Sequence, residues 1–327
     1  MRIAIVGAGV GGRSLWRFLE LEGGYDVEIF DVKHHTACGI SPCGWGVYTL
    51  DFLRMCDALE IPSSGSLRRT YTNLQVGEMD VPCLLSTFDK PEFLRQMCPD
   101  RNVSLDTPDI SEYDLVVDAT GVRRALLPPV RDDMKVRCRQ ERYMSTVNDL
   151  AIIPASPIGY AWMFPLGDGT VHIGQGWVDW SLTRPDETEK ARDLAGVNGT
   201  RPECSCTSDI RVLTPAYCKP IAYGTTVGIG EAVGTVSPLC GAGVIPAIVS
   251  AMLLADNIDN PYRYEKILIY DFSFLNREVA ILRKLMAGKR LNLIDLYVMH
   301  RNSHKFGIFY GWKDAIKTLK LVGGRLI

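Results

Sequence analysis

Hydrophobic and polar positions at the start of the chain fall into three blocks. Residues 2–6 form an apolar run without alternation, which predicts a buried strand; residues 10–22 read as a helix; residues 26–31 (DVEIFD) return to a strand. The opening is therefore a βαβ unit. Beyond it lie strand-like stretches near 66–76 and 81–86 and a helix near 88–98. The segment 113–119 (YDLVVDA) is a short strand whose lack of alternation predicts burial on both faces. From 134 to 221 the pattern alternates as in β-structure, with polar loops around 181–209. Another apolar strand, 224–230, runs into a helix at 241–256, and helical segments near 262–286, 291–303 and 311–322 close the chain. No fixed-period repeat is present.

Composition narrows the setting. With 327 residues, 46% of them hydrophobic, the chain can bury a large core. A formal net charge of -2 gives no reason to expect nucleic acid as a partner. The N-terminus runs straight into a strand without a secretory pattern, so the ten cysteines are expected in a reducing cytoplasm rather than as a disulfide framework. The most apolar long run, Gly241 to Ala255, is too short to span a bilayer.

The first turn carries chemistry. Gly7-Ala8-Gly9-Val10-Gly11-Gly12 fits G-x-G-x-x-G between a strand and a helix. Gly7 permits the tight turn, Gly9 lets a pyrophosphate approach the backbone, Gly12 lets helix and strand pack, and the helix N-terminus faces the phosphate charge. Asp31 ends the second strand, 19 residues after Gly12, where a carboxylate accepts hydrogen bonds from ribose hydroxyls. The implied fold class is α/β: a Rossmann-like dinucleotide-binding domain interleaved with a β-rich substrate domain, plus a C-terminal helical segment. The expected boundaries are 1–65, 87–133 and 222–260 for the first, 66–86 and 134–221 for the second, and 261–327 for the third.

Two later segments choose between nicotinamide and flavin. Ala119-Thr120-Gly121 follows a strand, and Gly230-Glu231-Ala232 is an acidic turn that leads to Gly241-Ala242-Gly243 at a helix start. An acid at such a turn can bind ribitol hydroxyls, and the helix N-terminus offers positive potential to a flavin pyrimidine edge. FAD is the expected cofactor.

These segments, together with Ser41-Pro42-Cys43-Gly44-Trp45-Gly46, the helix-leading Phe88-Asp89-Lys90-Pro91-Glu92-Phe93-Leu94 and Gly159-Tyr160-Ala161-Trp162-Met163-Phe164-Pro165, resemble the FAD-dependent oxidoreductases related to p-hydroxybenzoate hydroxylase. Within them the resemblance points to the geranylgeranyl reductases. It spans residues 1 to about 256 in the expected order. It implies a flavin held by Gly7, Gly9, Gly12, Asp31, Cys43, Gly44, Ala119, Thr120, Gly121, Glu231, Gly241, Ala242 and Gly243. It also implies saturation of prenyl-lipid C=C bonds by hydride transfer plus protonation. The family usually has Asp where this chain has Glu231, and Lys90 is the nearest basic residue to a position where it commonly has Arg.

On the substrate side, period two puts Tyr160, Trp162 and Phe164 on one strand face, and glycines at 174 and 176 precede Trp177. That face is either an ordinary sheet core or, with Trp45, an aromatic wall for an apolar substrate. Cys43 is the candidate catalytic cysteine, and Cys240 lies in a loop expected near it. Alternation could turn His172 away from the core. Cys204, Cys206 and Cys218 lack paired zinc-ligand spacing, so no metal is expected. There is no second dinucleotide fingerprint, so electrons would come from NAD(P)H docking or from a ferredoxin-type donor. An aromatic hydroxylase and a non-catalytic flavin- or lipid-binding protein are the competing readings. Finally, residues 289–327 hold eight basic residues against two acidic ones, and Trp312, Ile316, Leu319 and Val322 share a helical face. The pattern suits either a helix packed on its own domain or a peripheral contact with an anionic membrane.

Overall fold

A computed structural model of the chain describes residues 1–32, 43–155, 158–177 and 188–321. In chain order the strands are β1 (Arg2–Val6), β2 (Asp26–Phe30), β3 (Gly46–Tyr48), β4 (Leu67–Val76), β5 (Met79–Phe88), β6 (Val103–Ser104) and β7 (Leu115–Asp118). They continue with β8 (Lys135–Met144), β9 (Ala151–Ala155), β10 (Gly159–Pro165), β11 (Thr170–Trp177), β12 (Cys204–Arg211), β13 (Ala222–Tyr223) and β14 (Thr226–Gly228). The helices are α1 (Val10–Glu22), α2 (Thr49–Ala58), α3 (Lys90–Met97), α4 (Thr188–Leu194), α5 (Val244–Ala255), α6 (Pro261–Asp271), α7 (Asn276–Met286), α8 (Leu293–Lys305) and α9 (Trp312–Leu321).

The non-alternating apolar runs build a six-stranded sheet in the order β13-β14-β7-β1-β2-β6, parallel except for the short edge strand β13. Its central strands are mostly apolar because both faces are covered: α1 and α5 pack on one, where Ile3, Ile5, Leu15, Leu19, Val117 and Leu254 share a core, and Ala4, Phe30, Tyr113 and Val116 cluster on the other. From β1 the chain steps to β2 on one side and later to β7 on the other. The order therefore reverses at β1, and the carboxyl edge there opens a crevice of the kind that takes ligands in α/β sheets.

The alternating stretches build a second, eight-stranded sheet in the order β12-β8-β11-β10-β9-β4-β5-β3. Four features depart from the sequence reading. The stretch 181–209, read as polar loops, contains α4 and most of β12, an edge strand paired with β8 that shows polar side chains to solvent. The helical segment 262–286 is interrupted by a 3-10 turn at Phe272–Leu275. Gly46–Tyr48, counted with the dinucleotide-binding pieces, pairs with β5 at the edge of the second sheet. The helix read over 88–98 starts at Lys90, because Asp89 caps it by accepting from the Glu92 amide at 3.0 Å and Pro91 sits in its first turn.

Candidate functional site

Four loops meet at the carboxyl edge of the parallel sheet. The turn after β1 is held from both sides: the Gly7 amide donates to Phe30 O at 2.7 Å, and the Ala119 amide to Val6 O at 2.9 Å. Gly7 has φ +111°, and a Cβ there would lie 2.3 Å from Ala119 O. A Cβ on Gly12 would lie 1.9 Å from Gly7 O. These two glycines are demanded by the protein's own backbone. Gly9 differs: a Cβ there would meet nothing within 4 Å. No side chain caps α1, so its first N–H groups face that open space. Asp31 stands beside it, accepting from the amides of Ala8 at 3.2 Å and Val32 at 2.8 Å.

The next two loops form the floor. Asp118, wholly buried at the end of β7, accepts from the Thr120 amide and hydroxyl at 3.1 and 2.6 Å and from the amides of Leu126 and Leu127 at 2.9 and 3.1 Å. It fixes the Ala119-Thr120-Gly121 turn, a role the sequence reading did not assign to it. Gly121 has φ +63°, and a Cβ there would come within 3.6 Å of Glu231 Oε2, so the two turns are neighbours. Glu231 is anchored by Arg211, which is only 1% exposed. The Arg211 amide donates to Glu231 Oε1 at 2.8 Å and its guanidinium to Glu231 O at 2.9 Å, to Val122 O at 2.9 Å and to Asp133 at 2.7 and 2.9 Å. Burial pushes the Glu231 carboxyl above the usual carboxylate range, opposed by Arg211 and by the charge of Lys90.

The second sheet supplies a wall. The hairpin register sets Tyr160 opposite Gly176, Trp162 opposite Gly174 and Phe164 opposite His172. The glycines make room inside the sheet itself: a Cβ on Gly174 would strike the Trp162 ring at 2.2 Å, and one on Gly176 would meet Cys138 Sγ at 2.8 Å. Gly44 and Gly46 do the same for Phe164, whose ring lies 2.5 and 2.6 Å from where their Cβ atoms would be. Trp45, between them, has φ +60°, a backbone strain that a tightly packed loop can hold. Trp45 and Trp162 are buried, while Tyr160 and Phe164 keep part of their surface. The backbone of Trp177 ends β11; its side chain and residues 41–42 lie outside the described residues.

His172 is the correction on this wall. The register places it on the Phe164 face, not away from the core, and its ring is 1% exposed and edge-on to Trp45 with centroids 4.6 Å apart. Nδ1 has no hydrogen-bond partner. Burial first, and then the charge of Arg142, hold its pKa down to about 3. An unfolded histidine takes a proton near pH 6.5, so the native state excludes a proton that the unfolded chain accepts, and stability falls as the pH drops through that window. Between neutrality and pH about 5 this residue alone should remove about 2 kcal/mol. His172→Phe should flatten that part of the slope in urea unfolding followed at both pH values. Equal slopes for the two proteins would mean that His172 titrates freely in the fold. The raised carboxylates Glu231 and Glu278 contribute slopes of opposite sign that both proteins share.

The fourth loop precedes α5. Gly241 has φ +68°, Gly243 caps α5 without a side-chain bond, and Ala242 O accepts from the Ser237 amide at 3.0 Å. Tyr160 ties the wall to this loop by donating to Cys240 O at 2.7 Å. Cys43 and Cys240 are both half-buried free thiols and are not joined to each other. Cys240 Sγ turns to Ser237 Oγ at 3.1 Å, and burial raises its pKa to about 12, so it stays a thiol. Behind it lies a group that the sequence reading missed. Glu278 of α7, 1% exposed, accepts from Ser237 Oγ at 2.7 Å, the Leu239 amide at 3.4 Å and Asn302 Nδ2 at 2.6 Å. Its signal in sequence, one acid in an amphipathic helix, is that of a solvated side chain. Among the described residues no group of His, Cys, Asp and Glu could hold a metal ion.

No protein-family model matches the chain. An uncharacterized protein of Methanocaldococcus jannaschii is 26% identical over 231 residues, which cover 63% of this chain and 62% of that relative, so the match spans less than two thirds of the relative's length. Among solved structures, a geranylgeranyl bacteriochlorophyll reductase-like protein from Thermoplasma acidophilum superimposes with a TM-score of 0.71 at 16% identity, over 97% of this chain and 95% of that one. Klebsiella pneumoniae HpxO, crystallised with FAD and uric acid, gives a TM-score of 0.62 at 13% identity, over 99% and 97%. The chain has the fold of these flavoproteins, the p-hydroxybenzoate hydroxylase type.

Proposed function

We propose that this chain binds FAD along the crevice at β1 and uses it to saturate C=C bonds of a prenyl lipid. The observation that carries the cofactor is the contrast at the first turn. The fold itself demands Gly7 and Gly12, whereas Gly9 faces open space beside Asp31 and an uncapped helix N-terminus. Gly7, Gly9, Gly12 and Asp31 would hold the adenosine diphosphate half, Ala119–Gly121 and Glu231 the ribitol, and Gly241–Gly243 with α5 the pyrimidine edge. In this reading the parallel sheet is the cofactor-binding unit, the second sheet the substrate-binding unit, and the helices from α6 onward a third segment.

FAD, when bound, supplies hydride after reduction by NAD(P)H or a ferredoxin-type donor. The chain's own residues do the rest. Tyr160, Trp162, Phe164 and Trp45 form an apolar aromatic wall that excludes water and can face cationic character at an alkene carbon. Cys43 opens the Gly44–Trp45 loop against Phe164 and is the candidate proton donor. A water-excluding wall of this kind suits an isoprenoid chain, and the same reading sets the work at a membrane surface, where such lipids reside.

Anaerobic reaction of the reduced holoprotein with prenyl lipids should give products heavier by about 2 Da per saturated bond, without oxygen uptake. Cys43→Ser should lower that rate about a hundredfold, the scale of a general acid, while flavin stays bound. Full activity in Cys43→Ala would remove this thiol from the reaction. The second reading, hydroxylation of an aromatic compound, is favoured by the shared fold with a protein that holds FAD and uric acid. NAD(P)H-coupled oxygen uptake, with a product heavier by one oxygen, would establish it instead.

A further inference from the structure

Most large apolar side chains left on the surface are scattered, but one corner gathers several. Where α7 turns into α8, Leu293 is 80% exposed, Ile294 62% and Tyr297 50%. Ile294 follows Leu293 directly and Tyr297 stands one turn on from Leu293, so the three share one side of α8. Across from them Trp312 of α9, also 50% exposed, lies parallel to the Tyr297 ring with centroids 6.4 Å apart. Exposed cations flank this ridge: Lys289 and Arg290 on the turn before α8, and Lys313 beside Trp312. The acid within α8 does not offset them outward. Asp295 is wholly buried, with Arg277 at 2.8 Å and Lys284 at 2.6 Å.

This relocates the surface that the sequence suggested. The face of α9 read from Trp312, Ile316, Leu319 and Val322 is turned partly inward: Ala315 is buried, and Ile316 packs with Leu239, Leu285 and Met299 over a cluster that includes Leu291 and Leu296. The Leu319 side chain and Val322 lie outside the described residues. Apart from Trp312 at the start of α9, the apolar groups of this corner that face solvent stand on α8, and the cluster beneath them reaches Leu239 in the loop before α5.

From this ridge we infer that Leu293, Ile294, Tyr297 and Trp312, framed by Lys289, Arg290 and Lys313, form a docking surface for an anionic bilayer. Apolar side chains enter the boundary between headgroups and acyl chains, the tyrosine and tryptophan lie at headgroup level, and the cations meet lipid phosphates. Three exposed cations against one half-buried neighbouring acid, Asp314 of α9, leave the rim of the ridge net positive, which complements an anionic surface. The inference deepens the prenyl-lipid reading, on which its membrane setting rests, and places the bilayer against the layer that covers the Leu239 loop.

The test is sedimentation of the full chain with phosphatidylglycerol/phosphatidylcholine vesicles and with phosphatidylcholine vesicles, at low and high salt. Binding should require the anionic lipid and weaken with salt. Leu293→Ser with Ile294→Ser should reduce it about tenfold or more, and Lys289→Glu with Arg290→Glu about a hundredfold, the scale of one tenfold step per phosphate-facing cation reversed. Both pairs are on the surface, and unchanged thermal unfolding would confirm that each variant folds. Equal binding to both vesicle types, binding that either pair leaves intact, or no binding overturns the proposal. So does a concentration-dependent dimer that the serine pair dissociates, since a second copy would then cover the ridge. No turnover is measured, so a failure of prenyl-lipid reduction and a failure of docking are read separately.

Discussion

Gly9→Val is expected to leave the unfolding of the flavin-free chain unchanged while abolishing FAD retention. A side chain at Gly9 meets no protein atom within 4 Å, and the residue's φ of -76° suits any amino acid, so the empty fold has no reason to resist valine. The bulk would instead occupy the space in front of the α1 N-terminus that a pyrophosphate needs. Affinity should fall by at least about a thousandfold, or about 4 kcal/mol. Gly12→Ala gives the opposite pattern. Its Cβ would lie 1.9 Å from Gly7 O, a backbone atom that is itself locked, so overpacking of about 3 kcal/mol or more should appear in the fold before any ligand is added. Fluorescence titration with FAD and urea unfolding of the flavin-free proteins read the two effects. Normal FAD affinity in Gly9→Val would place the cofactor elsewhere.

The second large effect is expected at Arg211. Removing its side chain strands the half-buried Asp133 without its guanidinium partner and leaves the carbonyls of Val122 and Glu231 without that donor. Breaking such a pair from one side costs about 3–5 kcal/mol. Arg211→Ala should therefore lower the urea midpoint more than any surface change. Arg211→Lys should recover only part of the loss, since an ammonium cannot span three acceptors in a planar fork. The Arg211 amide keeps its bond to the Glu231 carboxylate in either variant, but the guanidinium bond to Glu231 O is lost, so flavin affinity should weaken about tenfold even where the variant is folded. Stability within about 0.5 kcal/mol of the parent would show that the arginine is dispensable to the turn.

The nucleotide turn was readable because its requirements are local. A strand, three glycines and a helix start fall within one run of sequence, and the acid follows at the end of the next strand. The residues that hold the rest were not, because their partners are remote. Arg211 ends an edge strand whose polar outer face resembles a loop, and its carboxylate partner lies 78 residues away. Glu278 reaches Ser237 across 41 residues and Asn302 across 24. His172 was misplaced for a different reason. Alternation tells which residues of one strand share a face, but not how two strands align, and it was the β10–β11 register that set His172 opposite Phe164. The glycines at 174 and 176 were noticed, yet their purpose depended on the same register, which brought the Trp162 ring over one of them.

The clasp of Glu278 on Ser237 and Asn302 also bears on how the protein is made. The loop before α5 is locked by a carboxylate from α7 that is itself fixed by α8. A nascent chain that has just released α5 from the ribosome already holds every glycine and acid of the nucleotide crevice. It lacks the groups that set the loop before α5, the one proposed for the pyrimidine edge. Domains fold from the N-terminus as they emerge, at roughly 5–20 residues per second. The turn after β1 can therefore form several seconds before the loop before α5 is locked, and the completed crevice waits for α7 and α8.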